Sequence, residues 1–574
     1  MLLYTMFLPT TRAEMEALGW ERPDVILITG DSYIDHPSIG VSIIGRVLMD
    51  AGFKTGVIAQ PDTTGPADVT RLGEPALFWG VTGGCVDSMV ANYTASGKRR
   101  KSDDYTPGGV NDRRPDRALI VYTNLIRRFF KNTRPVVLGG IEASTRRLTH
   151  YDHPGKRVRR SVLFDAKADI LVYGMGEKAV LELASCLSQG RDYRNIRGIC
   201  FASGEKPQDS TELPSHDSIV RDRQALAEMF RLHAAKGDGP GASRLCQLQD
   251  SRYLVHNPPQ PSLSQPELDR VYSLDFERDH HPFYERIGSV RALETIRFSL
   301  TTHRGCFGGC SFCSIGVHQG KTVVSRSQGS IVKEAKRLTR HPSFRGIISD
   351  VGGPTANMYA MECTRGESAP ACGRKCLFPS VCPNLGVDHG PQIELLRAVR
   401  SLPGVKKAFV ASGLRHDLVL ADRQNGERYL RELVAHHISG QLKIAPEHIA
   451  RNVLELMGKP GPEILTAFRK LFVRLAREDG RKQFLTYYFM AAHPGCTLED
   501  MQRLKRFASE ELGMSPEQVQ IFTPLPSTLS GVMYCTGRDL SGREVFVEKD
   551  PAARQQQKDV LTKKAPARKH RRGR

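Results

Sequence analysis

No apolar run in this chain approaches the roughly 18 residues needed to span a bilayer; runs such as Val25-Ile26-Leu27-Ile28 stop far short. The start, Met1-Leu2-Leu3-Tyr4, carries no basic stretch and meets Arg12, Glu14 and Glu16 almost at once, so no secretory signal is expected. No short internal repeat is present, which leaves out solenoids and arrays. Thirteen cysteines in 574 residues are too few for a disulfide scaffold. Together these absences predict a cytoplasmic protein without a membrane partner.

What is there is ordinary in bulk and uneven in detail. Hydrophobic residues make up 40% and charged residues 25%, with a mean hydropathy of −0.35, a composition that is neither disordered nor fibrous. The length predicts two or three domains. The net charge is +20, and the last stretch, residues 549–574, holds ten Lys or Arg against two Asp. That stretch reads as a disordered basic tail, either solubilising or an RNA-binding arm. The cysteines are clustered: Cys306, Cys310 and Cys313, then Cys363, Cys372, Cys376 and Cys382. In a cytosolic chain such clusters point to metal or iron–sulfur ligation before disulfides.

Strand-like and helix-like segments alternate over residues 1–202, with strands near 25–29, 55–59, 76–81, 136–138, 169–173 and 197–201. This pattern predicts an open parallel α/β sheet, whose loops 31–40 and 172–177 would lie at carboxyl strand ends, where such sheets bind ligands. Residues 203–290, rich in Pro and polar residues, read as an irregular connector. A second series fills 291–530, with strands near 296–301, 346–350, 407–412, 441–445, 483–490 and 519–522 and five helices between them. Six strands with five crossing helices predict a partial (β/α)6 barrel with its site at the C-terminal mouth. Residues 531–574 form a C-terminal extension.

The segment Arg304-Gly305-Cys306-Phe307-Gly308-Gly309-Cys310-Ser311-Phe312-Cys313 follows the first strand of that series. Three thiolates in a C-x3-C-x2-C array can wrap one face of a cubane cluster and leave one iron open. Zinc lacks a fourth ligand at finger spacing here. C-x3-C-x2-C after the first strand of a (β/α)6 series resembles the radical SAM superfamily. The stretches from Gly30 to Pro37, from Leu138 to Ser144, Ile444-Ala445-Pro446-Glu447-His448 and Ala492-His493-Pro494-Gly495-Cys496 are similar to the YgiQ-type family of that superfamily, over about residues 5–550.

The resemblance implies that Cys306, Cys310 and Cys313 hold a 4Fe-4S cluster whose open iron binds S-adenosylmethionine (SAM). It implies that Phe312 packs near the adenine and that Gly352 and Gly353 line the methionine moiety. Pro354 stands where the family carries an acid after the glycine pair. Ser412 and Arg415, after the third strand, are candidates for the SAM carboxylate, since Arg suits bidentate recognition. Glu447, after the fourth, could hold the ribose or the amino group, or simply start a helix. Asp35 and His36 resemble the histidine loop of cobalamin-binding domains but are adjacent rather than spaced, so cobalamin is not expected. Gly174-Met175-Gly176-Glu177 lacks the full phosphate fingerprint and reads as a helix start. Cys363, Cys372, Cys376 and Cys382 could close a second metal site, an auxiliary cluster or a structural zinc. The expectation is a radical SAM enzyme with an external electron donor such as flavodoxin or ferredoxin and an unidentified substrate. The alternative is a non-catalytic iron–sulfur protein that binds RNA or senses redox state.

Overall fold

The computed structural model describes residues 7–239, 241–365, 372 and 375–562. The N-terminal sheet has nine strands: β1 (Val25–Thr29), β2 (Thr55–Ala59), β3 (Phe78–Thr82), β4 (Val136–Gly139), β5 (Ile170–Val172), β6 (Ile199–Ser203), β7 (Ser210–Leu213), β8 (Arg244–Gln249) and β9 (Arg252–His256). Their order is β7-β8-β9-β6-β5-β4-β3-β1-β2. β1 to β5 are mutually parallel, as expected. These strands read as near-continuous apolar runs because helices cover both faces. Ile26, Ile28, Val81, Leu138 and Leu171 pack on one side, and Val25, Leu27, Val57, Val137 and Val172 on the other.

Two expectations change here. β6 runs antiparallel to β5, and residues 203–290 are not an irregular connector. They add β7, β8 and β9 to the sheet and a helix at Gln224–Lys236. β8 and β9 form a tight hairpin whose turn places Asp250 in the left-handed region at φ 55°, which Asp tolerates. Its buried Leu245, Leu254 and Val255 lie between polar neighbours, too short a pattern to stand out beside the prolines that follow.

The barrel strands are β10 (Ser299–Thr301), β11 (in two pieces, Ile347–Ile348 and Asp350–Gly352), β12 (Lys407–Ala408), β13 (Gln441–Glu447), β14 (Phe484–Ala491) and β15 (Val519–Ile521). Neighbours pair in parallel, and a bridge between Leu414 and Ile444 joins the two halves. Burial alternates along β13 and β14. Leu442, Ile444, Tyr487 and Phe489 pack into the helical core, Lys443 and Ala445 lie on the opposite face, and the register slips between Ile444 and Glu447.

The C-terminal stretch is also more ordered than the reading of a disordered tail from residue 549. Pro551–Thr562 is a helix, started by Asp550, which accepts from the Ala553 amide at 2.8 Å. Arg554, Gln557 and Leu561 are buried, with Arg554 donating to the Phe522 carbonyl just past β15. Three inward positions at helical spacing outweigh the surrounding charge. The RNA-arm expectation rests on residues 549–574, of which 563–574 lie outside the described residues. No helix among those described is long and apolar enough to cross a membrane.

At the carboxyl edge of the N-terminal sheet, where sheets of this kind bind ligands, several of the chain's own buried residues pair with one another. Arg114 is buried and pairs with Asp31 and, at 3.0 Å, with Asp103. It also donates to the Gly30 carbonyl at 3.1 Å, and the Cys85 amide donates to Asp31 at 2.6 Å. Replacing Arg114 by Ala leaves two buried carboxylates without a cation, so Arg114→Ala should cost about 3–5 kcal/mol in urea unfolding. A loss below about 1 kcal/mol would show that this edge is open to water.

Candidate functional site

The cysteine loop leaves β10 and turns at Gly305, whose φ of 81° and closeness to the Thr322 carbonyl leave no room for a Cβ. The Cys306 amide donates to the Gly320 carbonyl at 3.3 Å, and the Ser311 amide to that of Met457 at 2.9 Å. Ser530, at the start of the helix Leu529–Thr536, donates its amide to the Ser311 carbonyl at 2.8 Å. Three separate parts of the chain therefore hold the loop in place.

All three thiols are half-buried, and those of Cys306 and Cys310 lie beside Gly308. A Cβ on that glycine would lie 3.2 Å from Cys306 Sγ, 3.6 Å from Cys310 Sγ and 3.6 Å from Arg415 Nη1. The Gly308 amide donates to Cys306 Sγ at 3.4 Å. Burial pushes the Cys313 thiol up to about 12, Cys310 and Cys306 push the same way, and Lys459 opposes them. Without a bound cation at this point Cys313 would hold a neutral thiol. Iron makes thiolates favourable by supplying the positive charge.

Among the described residues no three His, Cys, Asp or Glu side chains converge on one point, as they would on a single metal ion. A cubane makes a different demand, because each thiolate binds its own iron corner. Three half-buried thiols on one loop, two of them beside a bare glycine with an arginine next to them, fit a cluster better than a lone zinc.

Arg415 Nη1 donates toward Cys310 Sγ at 3.6 Å. Burial works against its charge, but Asp417, whose Oδ1 accepts from Nε at 2.8 Å, and then the two thiols outweigh it. Asp417 is in turn held down to about 2, with burial pushing up and the Arg415 guanidinium prevailing. Thr355, two residues past the glycine pair, places Oγ1 3.3 Å from Cys306 Sγ. The site thus unites the cysteines, Arg415 and the turn carrying Gly352 and Gly353.

Glu447 also stands at the mouth. It adopts φ 69°, a strained conformation of the kind found at functional sites, and burial pushes its carboxyl up against the pull of Lys459. Lys459 Nζ lies 3.7 Å from Glu447 Oε1 and 5.9 Å from the centre of the Phe312 ring. Ser412 is placed differently from its expected role. Its hydroxyl donates to Asp350, so it offers an ammonium or water a lone pair and offers a carboxylate nothing.

The second cysteine group is only partly gathered. Cys363 sits in a two-residue strand paired with Leu385, Cys372 is exposed, and Cys376 and Cys382 are half-buried and buried. The Cys382 amide donates to the Cys376 carbonyl at 2.7 Å, and both pack with Cys306 and Phe307 in one apolar cluster. In the N-terminal domain Asp35 is paired with Arg46. His36 engages Ser38 through Nδ1 at 2.7 Å and Arg278 through Nε2 at 3.0 Å. Glu177 starts its helix, as read, and pairs with Arg304 beside the cluster loop.

Sequence reasoning passed over Asp417, Lys459, Asp350 and Thr355. Asp417 lies two residues from Arg415 and Lys459 follows a left-handed Gly458, yet neither carries a pattern of its own.

Residues 7–299 match the family described as Radical SAM N-terminal, and residues 300–508 match the Radical SAM superfamily. A UPF0313 protein of Fusobacterium nucleatum is 53% identical over 566 residues, covering 98% of this chain and 100% of that protein. A UPF0313 protein of Thermotoga maritima is 51% identical over 564 residues, covering 97% and 99%. Among solved structures, the radical SAM methyltransferase TsrM of Kitasatospora setae, with cobalamin and a [4Fe-4S] cluster bound, is similar at 18% identity and a TM-score of 0.49. The match covers 89% of this chain and 74% of that one. The cobalamin-dependent SAM radical enzyme OxsB is similar at 13% identity and a TM-score of 0.49, covering 88% and 54%.

Asp417→Asn should strand the buried Arg415 charge and cost about 3 kcal/mol at neutral pH. Because the Asp417 carboxyl is held down in the folded protein, its contribution is complete above the ordinary carboxyl pKa of about 3.9 and fades as pH falls toward 2. Urea unfolding of both proteins at stepped pH should show a constant gap from pH 7 to about 5 that narrows below 4. A gap that widens on acidification would contradict the pairing.

Proposed function

This chain belongs to the radical SAM superfamily, with the UPF0313 proteins as its relatives, and on that premise we propose that it cleaves SAM reductively to activate a C–H bond of its substrate. Superfamily membership makes it an enzyme and brings a 4Fe-4S cluster and SAM as its cofactors. That leaves no place for the non-catalytic alternative. The observation that carries the proposal is the pair of thiols, Cys306 and Cys310, set around the bare Gly308 on a loop that also carries Cys313, with Arg415 on one side and Thr355 of the glycine turn on another. The cluster with SAM on its open iron supplies one-electron cleavage of the sulfonium to methionine and a 5′-deoxyadenosyl radical.

The residues around that chemistry bind, orient and exclude water. In our reading Cys306, Cys310 and Cys313 ligate the iron. Arg415, clamped by Asp417, presents Nη1 to the thiolate side and to a carboxylate bound there. Phe312 packs on the adenine with Lys459 at the edge of its ring, and Gly352 and Gly353 line the methionine backbone. Glu447, tethered by Lys459, takes the ribose hydroxyls. Lys375, donating to Ser311 Oγ at 3.1 Å, and Ser530 close the loop from above. An electron donor of the flavodoxin or ferredoxin kind would approach from outside, and the basic end of the chain leaves RNA open as a partner.

We read the N-terminal sheet as a scaffold without cobalt ligation by His36. Both ring nitrogens are already engaged and residues 83–117 fill the carboxyl edge, which supports that reading. For Cys363, Cys372, Cys376 and Cys382 the proposal is a second metal centre, supported by the contact of Cys376 and Cys382 with the cluster loop.

Two measurements test these readings. Anaerobically reconstituted protein should yield 5′-deoxyadenosine with SAM and a strong reductant, and any of Cys306→Ala, Cys310→Ala or Cys313→Ala should abolish it. Formation retained by Cys310→Ala would refute the ligand set. The triple Cys→Ala protein should keep about four irons for an auxiliary cluster or about one zinc for a structural site. Neither metal would remove the second centre.

A further inference from the structure

The resemblance places an acid directly after the glycine pair, and in this chain Pro354 occupies that position. The carboxylates around the mouth differ in one respect. Glu447 has Lys459, Asp417 has Arg415, Glu177 has Arg304, and Glu334 has Arg278 and Arg326. Asp350 has no ion-pair partner among the described residues. Its hydrogen-bond donors are all neutral: the Ala411 amide at 2.8 Å and the Ser412 amide at 3.2 Å on Oδ1, and the Ser412 hydroxyl on Oδ2. Neutral donors fix the carboxylate without cancelling its charge, and three of them leave one of about four lone-pair positions free.

Its position points the same way. Val351 packs into the outer core with Leu300, so Asp350 and Gly352, its neighbours in β11, face the lumen with Ser299 and Thr301, their register partners. A Cβ on Gly352 would lie 3.4 Å from Asp350 Oδ1 and 3.4 Å from Ser412 Oγ. The carboxylate thus borders the bare backbone of Gly352, three residues before Gly353, in the strand that runs into the turn whose Thr355 touches Cys306. The other polar group at this turn, His303, is buried and lies on the Gly353 side, where a Cβ would be 2.6 Å from its ring. Burial keeps that imidazole neutral, down at about 4, against a weak opposing pull from the Thr355 backbone. It brings no charge to an ammonium.

We propose that Asp350 is the anion that receives the α-ammonium of SAM in this chain, replacing from before the glycine pair the acid that is missing after it, and that Ser412 is its positioning residue. The proposal rests on the radical SAM reading above. An ammonium–carboxylate hydrogen bond in a partly buried site is a charge-assisted one and among the stronger kinds.

The test is equilibrium dialysis of anaerobically reconstituted protein, with iron content measured, against SAM and against the SAM analogue carrying hydrogen in place of the α-amino group. Asp350→Asn should weaken SAM binding by about tenfold to a hundredfold and leave the deamino analogue nearly unchanged. Wild-type preference for SAM should fall by the same factor. Ser412→Ala, which removes one donor and keeps the carboxylate, should show a smaller loss confined to SAM, and it decides the matter if Asp350→Asn fails to retain about four irons. Equal weakening of SAM and analogue in both variants, or unchanged SAM binding in both, overturns the assignment. Selective loss in His303→Ala instead moves the role to the histidine and overturns it too. Wild-type protein that holds four irons and binds no SAM removes the radical SAM reading itself, an outcome distinct from the others.

Discussion

Three thiols on one eight-residue loop must become three negative charges when iron binds, and the surrounding structure is arranged around that demand. The positive groups come from distant parts of the chain. Arg415 arrives from the loop after β12, Lys459 from beyond β13, and Lys375 from the excursion after β11, its Nζ on Ser311 Oγ. Burial lowers the affinity of the Lys375 amine for its proton, and the Cys310 charge opposes that. Each cation is tethered by a carboxylate, carbonyl or hydroxyl, so none of them swings away when the cluster is absent. Low dielectric makes the arrangement effective, since a cation near a buried thiolate is worth several times what it would be in water.

The loop cannot hold this geometry alone, and the N-terminal domain has a share in holding it. Arg304, two residues before Cys306, is paired with Glu177 at the start of a helix behind β5. His318, five residues after Cys313, meets Ser144 Oγ at 2.9 Å on the helix that follows β4. Ser527 donates to the Thr145 carbonyl at 2.7 Å from the loop after β15. The carboxyl edge of a doubly covered sheet is the usual ligand site of such a fold. Here its far part is packed by Arg114, Asp31 and Asp103, and its near part grips the cluster loop. The sheet acts as a bracket for the barrel mouth.

Two local features show where packing overrode sequence pattern. The hairpin of β8 and β9 extends the N-terminal sheet through a region whose prolines suggested a linker, because an exposed sheet edge can recruit any short alternating pair of strands. The helix Pro551–Thr562 forms in a stretch read as disordered, because Arg554, Gln557 and Leu561 recur at helical spacing and find a groove beside β14 and β15. Gln557 accepts from the Ala492 amide at 2.9 Å and donates to the Cys496 carbonyl at 3.1 Å. β6, the strand beside the hairpin, pairs Ser203 with Tyr253, and the partners of Gln557 lie 65 and 61 residues back along the chain, separations that composition does not count.

The sequence by itself determined the two alternating series, the parallel run β1 to β5, the six barrel strands and the placing of three cysteines on the loop after β10, because those depend on local periodicity and on spacing within one loop. It also exposed the missing acid at Pro354. Only the tertiary structure decided which charges lie beside the cysteines, that Ser412 donates to Asp350 rather than to a carboxylate ligand, and that Asp350, unlike Glu447, Asp417, Glu177 and Glu334, has only neutral donors among the described residues. A side chain's partner depends on which strands lie side by side and which face of the strand looks inward. Those are properties of long-range pairing that no short segment carries.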